Sequence, residues 1–156
     1  MSIERYLRGE VVAGDLLGID SLDMARLAKL GISCLEAKLL DQARGTFRLM
    51  ARLRPDNFLV HLYLGILAEA EEDLLTAKEA YERAGTLLEA EGDLAPERRR
   101  ILFDIVLMLA CVLIRLGRTD EATAYLNELQ GSVDHSDVQL EAQQLLMTID
   151  AQRTRS

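Results

Sequence analysis

The 156-residue sequence has no tryptophan, two prolines, two cysteines and two histidines, and aromatic residues make up only 4% of it. Cys34 and Cys111 are far apart, which excludes a disulfide framework and a thiolate metal site. In apolar helical surroundings both read as small buried hydrophobes, suited to a reducing compartment. His61 and His135 stand at no ligand spacing from cysteines or carboxylates, so no metal is expected. His61 reads as a partly buried packing residue. Phosphate-binding glycine loops and the Gly-x-Ser-x-Gly elbow are missing too. The chain is expected to be no enzyme and to carry no cofactor.

Positive charge is in deficit. Lysine and arginine number 18 against 26 aspartates and glutamates, for a net charge of −8 and a pI of about 4.8. Such a chain repels phosphate backbones, which argues against nucleic-acid partners. The one basic run, Arg98-Arg99-Arg100, reads as a solvated helix face. Long apolar runs are lacking: Ile105 to Ile114 is about half of what a bilayer span requires. That run reads as a central buried helix. The N-terminus has no signal-like apolar stretch. A cytoplasmic protein without stable membrane insertion is therefore expected.

What is present is a repeat. Leu30-Gly31 returns 34 residues later as Leu64-Gly65, Leu40 as Leu74, Ala43 as Ala77, and Phe47 as Tyr81. A third copy carries Leu109-Ala110, Ala122 and Leu126 after an 11-residue insertion. Small, large and aromatic residues in fixed order at this period resemble the tetratricopeptide repeat family. Each repeat of that family is an antiparallel helix pair that buries its apolar face only by stacking on a neighbour.

The chain is 49% hydrophobic and rich in Leu and Ala, and it shows no period-2 strand. The expected fold is all-α: a right-handed superhelix of three helix pairs with an N-terminal helical segment and a C-terminal capping helix. One domain is expected over residues 1–156. Residues 1–22 read as one or two short helices broken at Gly9 and Gly14, with Ile3, Leu7, Val11, Val12, Leu16 and Leu17 as their apolar side. Repeat one covers 24–57, with Asp20 or Ser21 as the cap before it. Arg54-Pro55-Asp56 closes it, and Asp56 or Asn57 caps the next helix. Repeat two covers 58–90, and 91–96 reads as the insert loop. Repeat three covers 97–131, with Pro96 at its start and Gly117 at the mid-repeat helix end. Ser132–Ser136 reads as a loop, and 136–152 as a helix with one polar side, frayed beyond Gln152. The cluster Glu69, Glu71, Glu72 and Asp73 reads as a solvated turn.

The layout also resembles the translocator (class II) chaperones of bacterial type III secretion, which are small, acidic, cytoplasmic proteins with three repeats between two helical extensions. That resemblance implies a concave groove holding an extended apolar segment of a client. It also implies a homodimer through the N-terminal segment. The groove would be lined by the first helix of each pair: Ala28, Ile32 and Leu35; Leu59, Leu62, Tyr63 and Ile66; Leu107, Met108, Cys111 and Ile114. An apolar strip of that extent normally marks a binding surface. Its occupant stays open between a foreign apolar segment, the chain's own termini and a second copy. The positions at which related repeats clamp acidic peptide tails hold Ala28, Ile32, Tyr63, Asp104 and Met108, so no such clamp is expected. The alternative reading is a repeat scaffold docking a folded partner in a larger assembly.

Overall fold

The computed structural model describes residues 3–131 and 135–155. Every regular element among them is a helix. The chain, expected as one domain, divides into two compact units, Met1–Asp73 and Leu74–Ser156. The boundary falls inside the expected second repeat.

The first unit holds α1 (Ile3–Leu7), α2 (Ala13–Leu16), α3 (Ser21–Glu36), α4 (Leu40–Leu53) and α5 (Phe58–Ala70). Asp20 caps α3: its carboxylate accepts from the Asp23 backbone N–H at 2.9 Å, and Asp23 returns the bond to the Asp20 N–H at 3.3 Å. That reciprocal pair satisfies two of the orphan donors of the first turn. The Asp23 N–H also holds the Asp20 carboxyl below its ordinary pKa. Pro55 stops α4, and the Asn57 side chain caps α5 by accepting from the Leu59 N–H at 3.0 Å.

α4 packs against both α3 and α5, and α3 touches α5. The core between them is Met24, Ala43, Phe47, Met50, Leu53, Val60 and Leu67. Phe47 is fully buried. Gly31 must lack a side chain, because a Cβ there would sit 2.8 Å from Phe47 Cζ and closer still to Cε1. Leu30 shares the repeat position of Leu109, yet it is 55% exposed where Leu109 is 4%. The cause is an end effect: α2 packs on α4 rather than over α3.

Gly14 does not break a helix. It lies inside α2, buried, where a Cβ would meet the Leu53 carbonyl oxygen at 2.6 Å. The close approach is fixed by Arg54, which pairs with Asp15 at 2.5 Å and donates to the Ile19 carbonyl at 2.7 Å. α1 contacts α2 and leaves Ile3 and Leu7 exposed.

The second unit holds α6 (Leu74–Glu89), α7 (Pro96–Arg115), α8 (Thr119–Gln130) and α9 (Ser136–Arg155). α7 packs against α6 and α8, and α9 against α8 and α7. Its core includes Tyr81, Leu88, Ile105, Leu113, Leu126, Val138 and Ile149. α9 runs to Arg155 rather than fraying at Gln152. The expected loop at 132–136 falls largely on residues 132–134, outside the described residues.

The insertion is mostly helix. Set against the preceding pair, two of the extra residues lengthen α6 relative to α4, two lengthen the loop, and seven lengthen α7 relative to α5. The added turns carry the arginine run, which is not simply solvated. Arg98 pairs with Glu91 at 2.5 Å, Arg99 donates to the Leu94 carbonyl at 3.3 Å, and Arg100 reaches Asp137 on α9 at 2.5 Å. The Arg100 hydrogen bond holds the Asp137 carboxyl below its ordinary pKa. The run ties the extension to its loop and to the final helix.

The repeat is also written in the backbone. Lys38, Glu72 and Gly117 occupy equivalent positions, and all three are left-handed, with φ of 59°, 59° and 76°. Each ends its helix with the same two bonds. Leu39 N–H reaches the Cys34 carbonyl, Asp73 that of Ala68, and Arg118 that of Leu113, at 2.8–2.9 Å. Lys38, Glu72 and Gly117 bond three residues back at 3.0 Å. This is the helix stop that glycine makes without strain. Lys38→Gly relieves roughly 1–2 kcal/mol of left-handed strain and returns part of it as unfolded-state entropy. It is expected to raise stability by about 0.5 kcal/mol, while Gly117→Lys lowers it by about 1 kcal/mol. The urea midpoints of the two variants test this; a lowered midpoint for Lys38→Gly would refute the strain argument.

Candidate binding surface

In the first unit, α3 and α5 lie side by side with α4 behind them. The expected surface residues of this unit differ in how much they can offer. Ala28, Ile32 and Leu35 on α3 are half-buried and pack against the core. Tyr63 on α5 is half-buried too, because its ring stacks on Phe47 with centroids 5.4 Å apart and planes at 17°. One face of the ring thus belongs to the core. Leu59, Leu62 and Ile66 are half-buried and lie along one side of α5 at helical spacing. They form an apolar stripe along α5, less exposed than Leu30 on α3 and Leu49 on α4.

The second unit carries the remaining expected residues on α7. Met108, Cys111 and Ile114 are half-buried. Leu107 is only 7% exposed and belongs to the core rather than to a surface. Asp104 is occupied by Arg100 at 3.2 Å. Beside it, Phe103 meets the ring of His135 edge-on, with centroids 5.2 Å apart.

The polar residues singled out in the sequence are structural. His61 Nε2 lies 2.8 Å from the Pro55 carbonyl oxygen, so Nε2 carries the proton and donates across the turn before α5. Glu71 pairs with Arg44 of α4, which also binds Asp41 at 2.7 Å. The acidic turn is thus anchored rather than merely solvated. Among the described residues, no three His, Cys, Asp or Glu side chains gather where they could hold a metal ion. No described helix is long and apolar enough to cross a membrane.

Two solved structures share this arrangement. A chain of a type III secretion system complex from Aeromonas hydrophila matches with a TM-score of 0.77 and 16% identity, over 99% of this chain and 98% of that one. The type III secretion translocator chaperone SycD of Yersinia enterocolitica matches with a TM-score of 0.68 and 17% identity, over 90% of this chain and 98% of that one. The fold is that of a type III secretion translocator chaperone. No protein-family model matches the chain, and no curated protein does. At these identities the likeness is one of backbone. The translocator-chaperone fold fixes where the helices lie, and the side chains on α5 and α7 are this chain's own.

Proposed function

We propose that this protein is a cytoplasmic chaperone of a type III secretion system, which shields an apolar segment of a client protein before export. The observation that carries the reading is the match to a translocator chaperone over nearly the full length of both chains. The apolar stripe Leu59, Leu62 and Ile66 on α5 supports it, as does the Met108–Cys111–Ile114 side of α7. Ala28, Ile32, Leu35 and Tyr63 contribute the parts of their side chains that the core leaves open. Leu107 is withdrawn from the contact set, being buried. Exposed Ile3 and Leu7 on α1 are the residues through which a homodimer would form.

Burying a leucine side chain is worth roughly 1.5–3 kcal/mol. A carboxylate in its place must be desolvated without a partner, which adds to the loss. Leu62→Glu and, separately, Met108→Glu are therefore expected to lower client affinity at least about 100-fold. Circular dichroism and thermal melting should be unchanged, because neither side chain is fully buried. The test is co-expression with a candidate client, a translocator-type protein that carries long apolar segments. Wild type should keep that protein soluble and co-purify with it, and both variants should lose it. Retention by both folded variants would remove these stripes from the account. Recruitment of soluble folded proteins by wild type, with no effect on solubility, would instead favour a scaffold.

A further inference from the structure

The insertion-lengthened helices enclose a space that the stripes above do not use. In the second unit, α6, α7 and α8 surround a cavity of about 360 Å³. Ile105 and Leu109 are buried at its floor, with half-buried Leu102 and Val106 beside them. Leu102 is the last residue of the seven added to α7. Gly85 faces this space from α6: a Cβ there would meet nothing nearer than Ile105 Cγ2 at 3.9 Å. Glycine in a helix interior costs about 1 kcal/mol relative to alanine, and here no close approach requires it. Its missing side chain adds to the open space.

The mouth is polar and negative. Glu82, Thr86 and Glu89 follow one another along one side of α6, and Tyr125 of α8 stands across from them. Thr86 donates its hydroxyl proton to the Glu82 carbonyl at 2.9 Å. The nearby cation is Lys78, paired with Glu82 at 2.8 Å. The charges acting on Tyr125 include the carboxylates of Glu82, Glu128 and Glu121, opposed by the Lys78 ammonium. With burial as the larger cause, they raise the Tyr125 phenol above its ordinary pKa.

We propose that this cavity receives a lysine or arginine side chain, together with the apolar residues flanking it, from a segment of a protein partner. Charge complementarity selects the occupant. An anionic group would face exposed Glu89 and the Lys78-paired Glu82, whereas a cation is attracted to these carboxylates and finds the Tyr125 ring. The apolar floor suits the methylene stem of a long basic residue, which keeps its charged head at the mouth. A volume of about 360 Å³ is small for a cofactor but sufficient for one long side chain and part of a neighbour. The site lies on α6–α8 and does not depend on the α5 and α7 stripes.

The test is an amide-shift titration of the full chain, labelled with nitrogen-15, using a blocked hexapeptide of alternating leucine and arginine. A leucine–glutamate peptide is the control. Saturable shifts are expected at Gly85, Thr86 and Tyr125 with the basic peptide alone, weakening as salt is raised. Glu82→Gln with Glu89→Gln should lower the affinity about 10-fold. Gly85→Leu fills the cavity from a position with room for a Cβ, and should abolish the shifts. Thr86→Arg, at an exposed position, places a built-in cation at the mouth and should do the same even if Gly85→Leu fails to fold. Equal shifts from the acidic peptide, absence of shifts at the three residues, or unchanged titration of Thr86→Arg would each overturn the proposal.

Discussion

Phe47→Ala is expected to destabilise the protein by about 4 kcal/mol, the largest effect of any single truncation in the first unit. Phe47 is 0% exposed and lies at the centre of a core shared by three helices. Its removal forfeits the transfer free energy of the ring and leaves a cavity bounded by Gly31 and by the stacked ring of Tyr63. Neither neighbour fills it readily: Gly31 has no side chain, and Tyr63 is a half-buried side chain anchored on α5. Since whole domains are stable by only about 5–15 kcal/mol, such a loss is a large fraction of the total. The measurement is urea denaturation, with hydrogen exchange of the α3–α5 amides as the local readout. A loss under about 1 kcal/mol would mean that the ring is not the keystone its burial implies. Phe47→Ala should also weaken client binding through Tyr63, and unlike Leu62→Glu it should do so with a fall in stability. That contrast separates a residue that builds the surface from one that is the surface.

The repeat made Gly31 and Phe47 legible as marked positions, because a small residue recurs 16 positions ahead of a large one in every copy, but their direct contact is a matter of geometry that the pattern did not carry. Helix ends were legible for a similar reason. Pro55, Pro96, Asn57 and Gly117 announce their roles through fixed φ, capping oxygens or positive φ. What stayed hidden depended on residues distant in sequence or on side chains without such a signature. Lys38 and Glu72 adopt the same left-handed stop as Gly117, yet neither type advertises it. Gly14 carries the composition of a helix breaker and serves instead as a close contact, a difference set by Leu53 and Arg54. The insertion was countable, but Glu91-Gly92-Asp93 drew it toward a loop, while the residues after Pro96 extend α7. Arg100 has a local partner one turn on, Asp104, but its other partner, Asp137, lies 37 residues away on α9, beyond the reach of any local pattern.

The binding surface was legible as a stripe and not as an exposure. Helical periodicity put Leu59, Leu62 and Ile66 on one side of α5, and it put Leu107 beside Met108 on α7. Periodicity has no means of telling that α7 is gripped by α6, α8 and α9, which is why Leu107 is buried. The same blindness applies to Leu30, whose repeat position predicts burial and whose place at the start of the array denies it. The cavity at Gly85 escaped for the opposite reason: it is a space among three helices, to which a missing side chain adds, and no residue type marks it.

The third copy supplies the design for a final expected result. There Ala110 replaces the glycine and Leu126 replaces the aromatic residue, and both are fully buried. The added methyl and the lost ring offset one another in volume, which cores tolerate far better than either change alone. Transplanted into the first unit, Gly31→Ala alone drives a Cβ into the Phe47 ring. Overpacking of that kind costs about 3 kcal/mol, of which the better helix propensity of alanine returns about 1 kcal/mol. The net expected loss is about 2 kcal/mol. Adding Phe47→Leu removes the ring edge that the new methyl strikes, so the double variant should be more stable than the sum of its two single changes by at least about 1 kcal/mol. A double-mutant cycle by urea denaturation measures this coupling. Strict additivity would mean that Gly31 is retained for a reason other than the ring. Coupling of the expected sign would show that the degenerate third repeat and the regular first one solve the same packing problem with different volumes.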